Sequence, residues 1–456
     1  MLMRTPTKML ALSLWAATTG IGLMAGQPRP DNFSGNQGKM TVLTSFTQGW
    51  GFPGPLIEGR PGFFTGLALL GAKGTAFTLT SQGALTSIYS FPPGSLLLQW
   101  EVQAINGLVY GTQLNPNQNF GINLAGKLTY YPQSLPNAPV FSVQLPNGNL
   151  YGTTTNISGV ANRAFVRMTL GGAVTVLHAF TAQEGDPYGR PILASDGNFY
   201  AISGFGDQYE STSAAVYQMT PSGALKIRKT YSDGRKNYAP GSFPESLVEV
   251  GNGNLFGTAS LGGSERAGAI FELSASGAYT VIHQFTNWDV GIPTVMVLAT
   301  DGNLYGINDG RAVASIFRVT PAGQFETVYA FTNSAAGTCV CYLTQGSDGK
   351  FYGTSANGGS AGVGTAWVWD LGLPKPLPAV KGIRPASGAV GASVVVYGNN
   401  LLGPTSVSFN GVPAMVIKGI SANYVSATVP EGATTGPVTV TTPNGTSTSP
   451  GSFTVE

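Results

Sequence analysis

Charge is scarce in this chain. Asp, Glu, Lys and Arg make up 10% of 456 residues, against about 25% in an average soluble domain. Lys and Arg number 23, Asp and Glu 21, and the net charge is +2. That balance leaves no basic surface with which to claim a nucleic acid. Histidine and cysteine each occur twice, so a zinc site or a histidine-based triad has little material. No P-loop, G-x-S-x-G or H-E-x-x-H is present, and no cofactor or metal is expected. Long apolar runs are also missing beyond the N-terminus, so no integral membrane span is expected once that segment is removed.

The N-terminus reads as an export signal. Arg4 and Lys8 precede an uncharged stretch, Leu10 to Gly26, that is too short for a span and ends in small residues. Residues 1–26 are expected to be a signal peptide and 27–39 a linker. The mature chain would be secreted, extracellular or on the cell surface, with the periplasm as another destination.

What the chain has in quantity is glycine, 64 residues, about twice the usual share. Many glycines sit in a recurring motif: "EGRPGFFTG" (Glu58–Gly66), "NGLVYGT" (Asn106–Thr112), "NGNLYGT" (Asn147–Thr153), "DGNFYAI" (Asp196–Ile202), "NGNLFGT" (Asn252–Thr258), "DGNLYGI" (Asp301–Ile307) and "DGKFYGT" (Asp348–Thr354). Aligned on Phe64, Tyr110, Tyr151, Tyr200, Phe256, Tyr305 and Tyr352, the copies lie 41 to 56 residues apart. A second motif interleaves with it, as in "AIFELSASGAYTVIHQF" (Ala269–Phe285) and "SIFRVTPAGQFETVYAF" (Ser315–Phe331). Each copy is an alternating strand, a glycine turn and another alternating strand. Four strands per unit, seven units and a period near 47 predict an all-β, seven-bladed β-propeller over 40–371. The orphan strand "MTVLTSF" (Met40–Phe46) would close the ring by pairing with "TAWVWDL" (Thr365–Leu371), hiding two edges. The Asx-Gly pairs are expected to be two-residue type I′ turns, with Asp301 turning the chain rather than doing chemistry.

Prolines then mark a stiff linker at 372–379. Residues 380–456 carry short alternating strands with a turn signal every 8–12 residues, the pattern of an immunoglobulin-like β-sandwich. The pieces "PASG" (Pro385–Gly388), "VVVYGNNL" (Val394–Leu401), "VSFNGVPA" (Val407–Ala414) and "VPEGATTG" (Val429–Gly436) resemble the IPT/TIG domain family. The unit "DGNLYG…IFRVTPAGQFETVYAF" likewise resembles the GloVer tandem repeat of choice-of-anchor bacterial surface proteins, over Met40 to Leu371. That resemblance implies an extracellular role and brings no catalytic residues with it.

His178 and His283 fill one repeat position, where other units have Thr44, Tyr89 and Tyr329, and so read as structural. Cys339 and Cys341 form "CVC". An even pair suits a disulfide in an oxidising compartment, but residues two apart on an extended chain offer poor geometry; both outcomes stay open. The loops between blades and between second and third strands carry Trp50, Tyr188, Arg190, Tyr209, Arg235, Tyr238, Trp288 and Arg311. Aromatic and arginine side chains on varied loops over a rigid scaffold suit recognition. The expected function is an exported, non-catalytic binding protein whose partner is a polysaccharide or a cell-surface protein. The alternatives are a propeller-fold glycoside hydrolase or lyase, using inner-strand carboxylates such as Glu101, Glu245 and Glu249, and a structural surface-layer component.

Overall fold

Alternating apolar residues broken by glycine turns leave only one option for the backbone, and among the described residues every regular element is a strand. The computed structural model describes residues 38–69, 74–115, 117–131, 135, 138–154, 163–181, 184–204, 213–232, 244–251, 253–260, 267–286, 292–309, 313–332, 335–337 and 340–456. The leader and linker expected at 1–37 lie outside them. No helix among the described residues is long and apolar enough to cross a membrane.

Among the described residues the repeat region forms seven antiparallel sheets in chain order, here called blades 1 to 7, in the manner of a β-propeller. Their inner strands are Ile57–Arg60, Leu96–Gln103, Pro139–Gln144, Asp186–Leu193, Pro244–Val250, Ile292–Leu298 and Val340–Gln345. Successive inner strands lie side by side, and Phe52–Pro53 of blade 1 meets Phe351–Ser355 of blade 7, so the series returns on itself. Blade 7 is composite. Its outer strand, Lys39–Ser45, comes from the other end of the chain and pairs antiparallel with Thr365–Asp370, from Lys39↔Asp370 to Ser45↔Thr365.

Aromatic rings fill the space between blades. Tyr151 of blade 3 stacks on Phe199 of blade 4 at 4.9 Å, and Phe64 of blade 1 meets Tyr352 of blade 7 at 4.3 Å. Within a blade the motif glycine makes room for a ring on the next strand: a Cβ at Gly306 would overlap Phe317. This register corrects one alignment. Gly62 and Gly66 match Gly302 and Gly306, so Thr65, not Phe64, stands in the Tyr305 position, and Pro61, not Glu58, stands in the Asp301 position.

The C-terminal segment forms two further sheets. Ala379–Arg384, Ser393–Asn399, Tyr424–Thr428 and Ile417–Ser421 make one, and Gly436–Thr442 and Gly445–Val455 anchor the other. Val394, Val396, Val407, Phe409, Val425, Val438, Val440 and Phe453 fill the space between them. This is the immunoglobulin-like sandwich.

Candidate functional site

The turns come first, because three of them carry an acid, Asp196, Asp301 and Asp348. In blade 6, Gly302 N–H donates to Ala299 O at 3.0 Å and Ala299 N–H to Asn303 O at 2.9 Å. Gly302 has φ +80°, whereas Asp301 does not enter the left-handed region. The loop is therefore a type I turn followed by a left-handed glycine, not the expected two-residue type I′ turn. Among the described residues a true left-handed Asn-Gly pair occurs once, at Asn410–Gly411 of the sandwich, with φ of 45° and 87°. Asp301 is fully occupied. Its carboxylate accepts from Asn303 N at 3.1 Å, Asn303 Nδ2 at 2.8 Å and Tyr305 OH at 2.9 Å. Asp196–Tyr200 and Asp348–Tyr352 repeat the pairing at 3.0 and 2.9 Å.

Three residues before each turn Asx lies a set of side chains that the sequence reading did not isolate. Glu58, Gln103, Gln144, Glu249 and Gln345 hold that position, with Leu193 and Leu298 in blades 4 and 6. Four of the polar ones grip the turn of the preceding blade. Gln144 Oε1 accepts from Ile105 N at 2.7 Å, and Gln345 Oε1 from Thr300 N at 3.1 Å. Glu249 accepts both Ser195 N, at 2.8 Å, and Ser195 Oγ, at 2.6 Å. Glu58 takes Gly62 N at 2.7 Å, Ser347 N at 2.7 Å and Ser347 Oγ at 2.8 Å. Burial pushes the Glu58 carboxyl above its ordinary range, with these donors pulling the other way. A matching clasp is made at the other end of blades 2, 5 and 7. Thr112, Thr258 and Thr354 donate to Pro139 O, Thr294 O and Gly54 O of the next blade, at 2.9, 2.6 and 3.1 Å.

Two junctions lack both clasps: that between blades 1 and 2, where Leu67 stands in the Thr position and Gln103 Oε1 is buried without a partner, and that between blades 3 and 4. Between blades 3 and 4, Leu193 replaces the Gln or Glu, and the Thr153 hydroxyl is buried without a partner. Here the inner strand bulges: Tyr188 pairs with Ile202, but Ile192 is the next to pair, with Tyr200. The junction is held instead by Ser142 Oγ donating to Pro191 O at 2.7 Å. Bulges of this kind re-aim side chains at barrel and propeller rims. Tyr188 and Arg190, both expected ligand residues, lie in this bulge, and Arg190 is exposed.

The remaining expected residues are scattered. Trp50 is half-buried, edge-on to Phe46 and Phe77 at 6.1 and 6.2 Å, so its ring joins the core beneath the loop. Tyr209, Arg235, Tyr238, Trp288, Arg311 and Cys339 lie outside the described residues, and Cys341 falls on the inner strand of blade 7. The histidines lie on outer strands. His283 stacks on Phe325 of the next blade at 3.7 Å. His178 Nε2 lies 3.2 Å from Glu184 Oε2. Burial raises the Glu184 carboxyl, but hydrogen bonds from Thr181 and the His178 contact outweigh it, and the net shift is downward. No group of three or more His, Cys, Asp or Glu able to hold a metal exists among the described residues.

The two ends of the propeller differ in what covers them. The end carrying the Asx-Gly turns meets the sandwich. Tyr424 OH donates to Gln144 O of blade 3 at 2.7 Å. Asn444 Nδ2 donates to Ser347 O of blade 7 at 2.7 Å and to Pro376 O of the linker at 3.1 Å. Gly403 packs on Pro61 of blade 1, beside a cleft of about 240 Å³ lined by Arg60, Leu402, Pro404, Gly419 and Ser421. Asp186 to Tyr188, ahead of the bulge, belong to the opposite end, where they pair with Ile202 to Gly204.

A family model described as the Gloeobacter/Verrucomicrobia repeat matches residues 135–367, just over half of the chain. The chain belongs to this repeat family. An IPT/TIG domain model matches residues 378–455, the sandwich. No curated protein matches the chain. Among solved structures, a streptogramin B lyase is similar at 15% identity with a TM-score of 0.52, covering 72% of this chain and 96% of that one. A virginiamycin B lyase from Staphylococcus aureus gives 17% and 0.52, with 73% and 99% covered. A fungal alcohol oxidase of the AA5 family, in complex with copper, gives 12% and 0.50, with 92% and 100% covered. At these identities the likeness is one of fold. The last alignment extends beyond the repeat into the sandwich, because 92% of this chain exceeds the repeat's share of it.

Proposed function

We propose that this member of the repeat family is an exported, non-catalytic surface protein that binds a polysaccharide or protein partner at the propeller end opposite the sandwich. The observation that carries this reading is the asymmetry of the two ends. The turn end is taken up by the chain's own C-terminal domain, through Tyr424, Asn444 and Gly403. The free end is where the longer loops and the strand start Asp186–Tyr188 lie. Loops on a rigid scaffold are the usual carriers of recognition. Of the inner-strand acids, Glu249 and Glu58 are engaged as acceptors between blades, which favours recognition over acid–base hydrolysis at those positions. The family of the repeat and the presence of an IPT/TIG domain fit a location outside the cell, with 1–26 as the exported leader.

The test is retention of the chain 27–456 on a panel of insoluble and immobilised polysaccharides, with released sugar assayed in the same tubes. Retention without release is the expected result. Release of sugar would overturn the non-catalytic reading. Neither retention nor release would remove the polysaccharide and leave a protein partner.

A further inference from the structure

We propose that the C-terminal sandwich is a second closure of the propeller ring, acting across the seam between blades 7 and 1. The first closure is the N-terminal strand Lys39–Ser45, which belongs by connection to blade 1 and pairs into blade 7. The sandwich does the reverse. It is joined to blade 7 through Asp370 and the linker, and its contacts cross the seam to Pro61 of blade 1 and to Gln144 O of blade 3. Each end of the chain thus reaches over the seam to the side where the other end belongs.

Ser347 sits where the two closures cross. Its N–H and hydroxyl bond the Glu58 carboxylate of blade 1, at 2.7 and 2.8 Å, and its carbonyl accepts from Asn444 of the sandwich at 2.7 Å. The linker is tied down beside it: Thr300 Oγ1 of blade 6 donates to Pro374 O at 2.7 Å, and Asn444 donates to Pro376 O. Opening the ring requires the N-terminal strand to leave blade 7 and blade 1 to part from blade 7. While the sandwich stays docked, the parted blades are held near each other, and the strand re-pairs at a high effective concentration. The closures therefore act in parallel, and each lowers the chance that the other stays open. This inference is independent of any ligand.

Native-state hydrogen exchange on the full mature chain tests it. Tyr424→Phe removes one hydroxyl, and Asn444→Ala removes the bonds to Ser347 and Pro376. Neither residue is hydrogen-bonded to the strand Lys39–Ser45. The amides of that strand are expected to exchange about fivefold to tenfold faster in each variant, the scale of one buried hydrogen bond. Those of Ala269–Leu273 in blade 5 should not change. By reciprocity of coupling, Val42→Ala in the N-terminal strand should raise exchange at 421–424 of the sandwich. Faster exchange confined to the sandwich, with Lys39–Ser45 as protected as before, would overturn the proposal. An unchanged 421–424 in Val42→Ala would do the same. Tyr424→Phe leaves the sandwich core intact, so the test survives even where Asn444→Ala does not fold.

Discussion

The Tyr305 hydroxyl donates to the carboxylate of Asp301, four residues earlier, at 2.9 Å. Burial, then this hydrogen bond, pushes the Tyr305 phenol well above its ordinary range. Asp301 is the acceptor at the base of a hairpin. Asp301→Ala should lower stability by ~1–2 kcal/mol, and Tyr305→Phe by ~1 kcal/mol. Urea titrations measure both. Addition of calcium or a chelator should leave the midpoints where they are, and a calcium-dependent midpoint would give these turns a metal-binding role instead.

Glu249 offers a sharper contrast between recognition and catalysis. Glu249→Leu installs the residue that blades 4 and 6 carry at Leu193 and Leu298. It should cost about 1–2 kcal/mol through the orphaned Ser195 donors. Glu249→Gln keeps an acceptor and should cost less than about 1 kcal/mol. Neither change should alter retention on a bound polysaccharide. A sugar-releasing activity that disappears in Glu249→Gln would make this residue a catalytic acid instead.

Glu58 sets a pH dependence. Its folded carboxyl lies above the ordinary 4.5 because of burial. The folded state then holds this proton more readily than the unfolded state. Its contribution to stability is present at low pH and falls as pH rises from about 4.5 through the folded value. Glu58→Gln abolishes the titration while keeping an acceptor for Ser347. The stability of the parent relative to Glu58→Gln should fall as pH rises above about 4.5. Parallel curves for the two proteins would remove Glu58 as the source.

The bulge and the half-buried Trp50 should separate binding from stability. Tyr188→Ala and Arg190→Ala are expected to reduce retention on the bound polysaccharide at least fivefold, with unfolding midpoints little changed. Trp50→Ala should instead lower stability by ~2–3 kcal/mol through lost contact with Phe46 and Phe77. Loss of retention in Trp50→Ala at full stability would return that ring to the binding surface.

The strands, the repeat and the sandwich were legible because local rules produce them: alternation, glycine turns and a fixed period. The turn type was missed because a dipeptide signal does not fix loop length. Asn410–Gly411 joins directly opposed Phe409 and Val412, whereas Asp301–Gly302 sits in a loop closed one residue further out. Blade 1 was misaligned by one residue because Phe63 and Phe64 both satisfy an aromatic pattern, and only the glycines fix the register. The Gln and Glu clasps escaped notice because the residue at the third place before the turn looks like an ordinary strand end until its neighbour's backbone is beside it. The sandwich's seat on the turns depends on Tyr424 and Asn444 meeting backbone carbonyls far away in the chain, and no local pattern announces such a partner.

The composite blade also sets a timetable for synthesis. Ser45 and its partner Thr365 are 320 positions apart. At about 5–20 residues per second, the N-terminal strand waits roughly 15 to 65 seconds for its mate to be made. Throughout that interval six blades can form while an unpaired edge stays open. Ring closure is thus deferred until nearly the whole polypeptide has emerged, a delay that would make truncated products prone to edge-to-edge association.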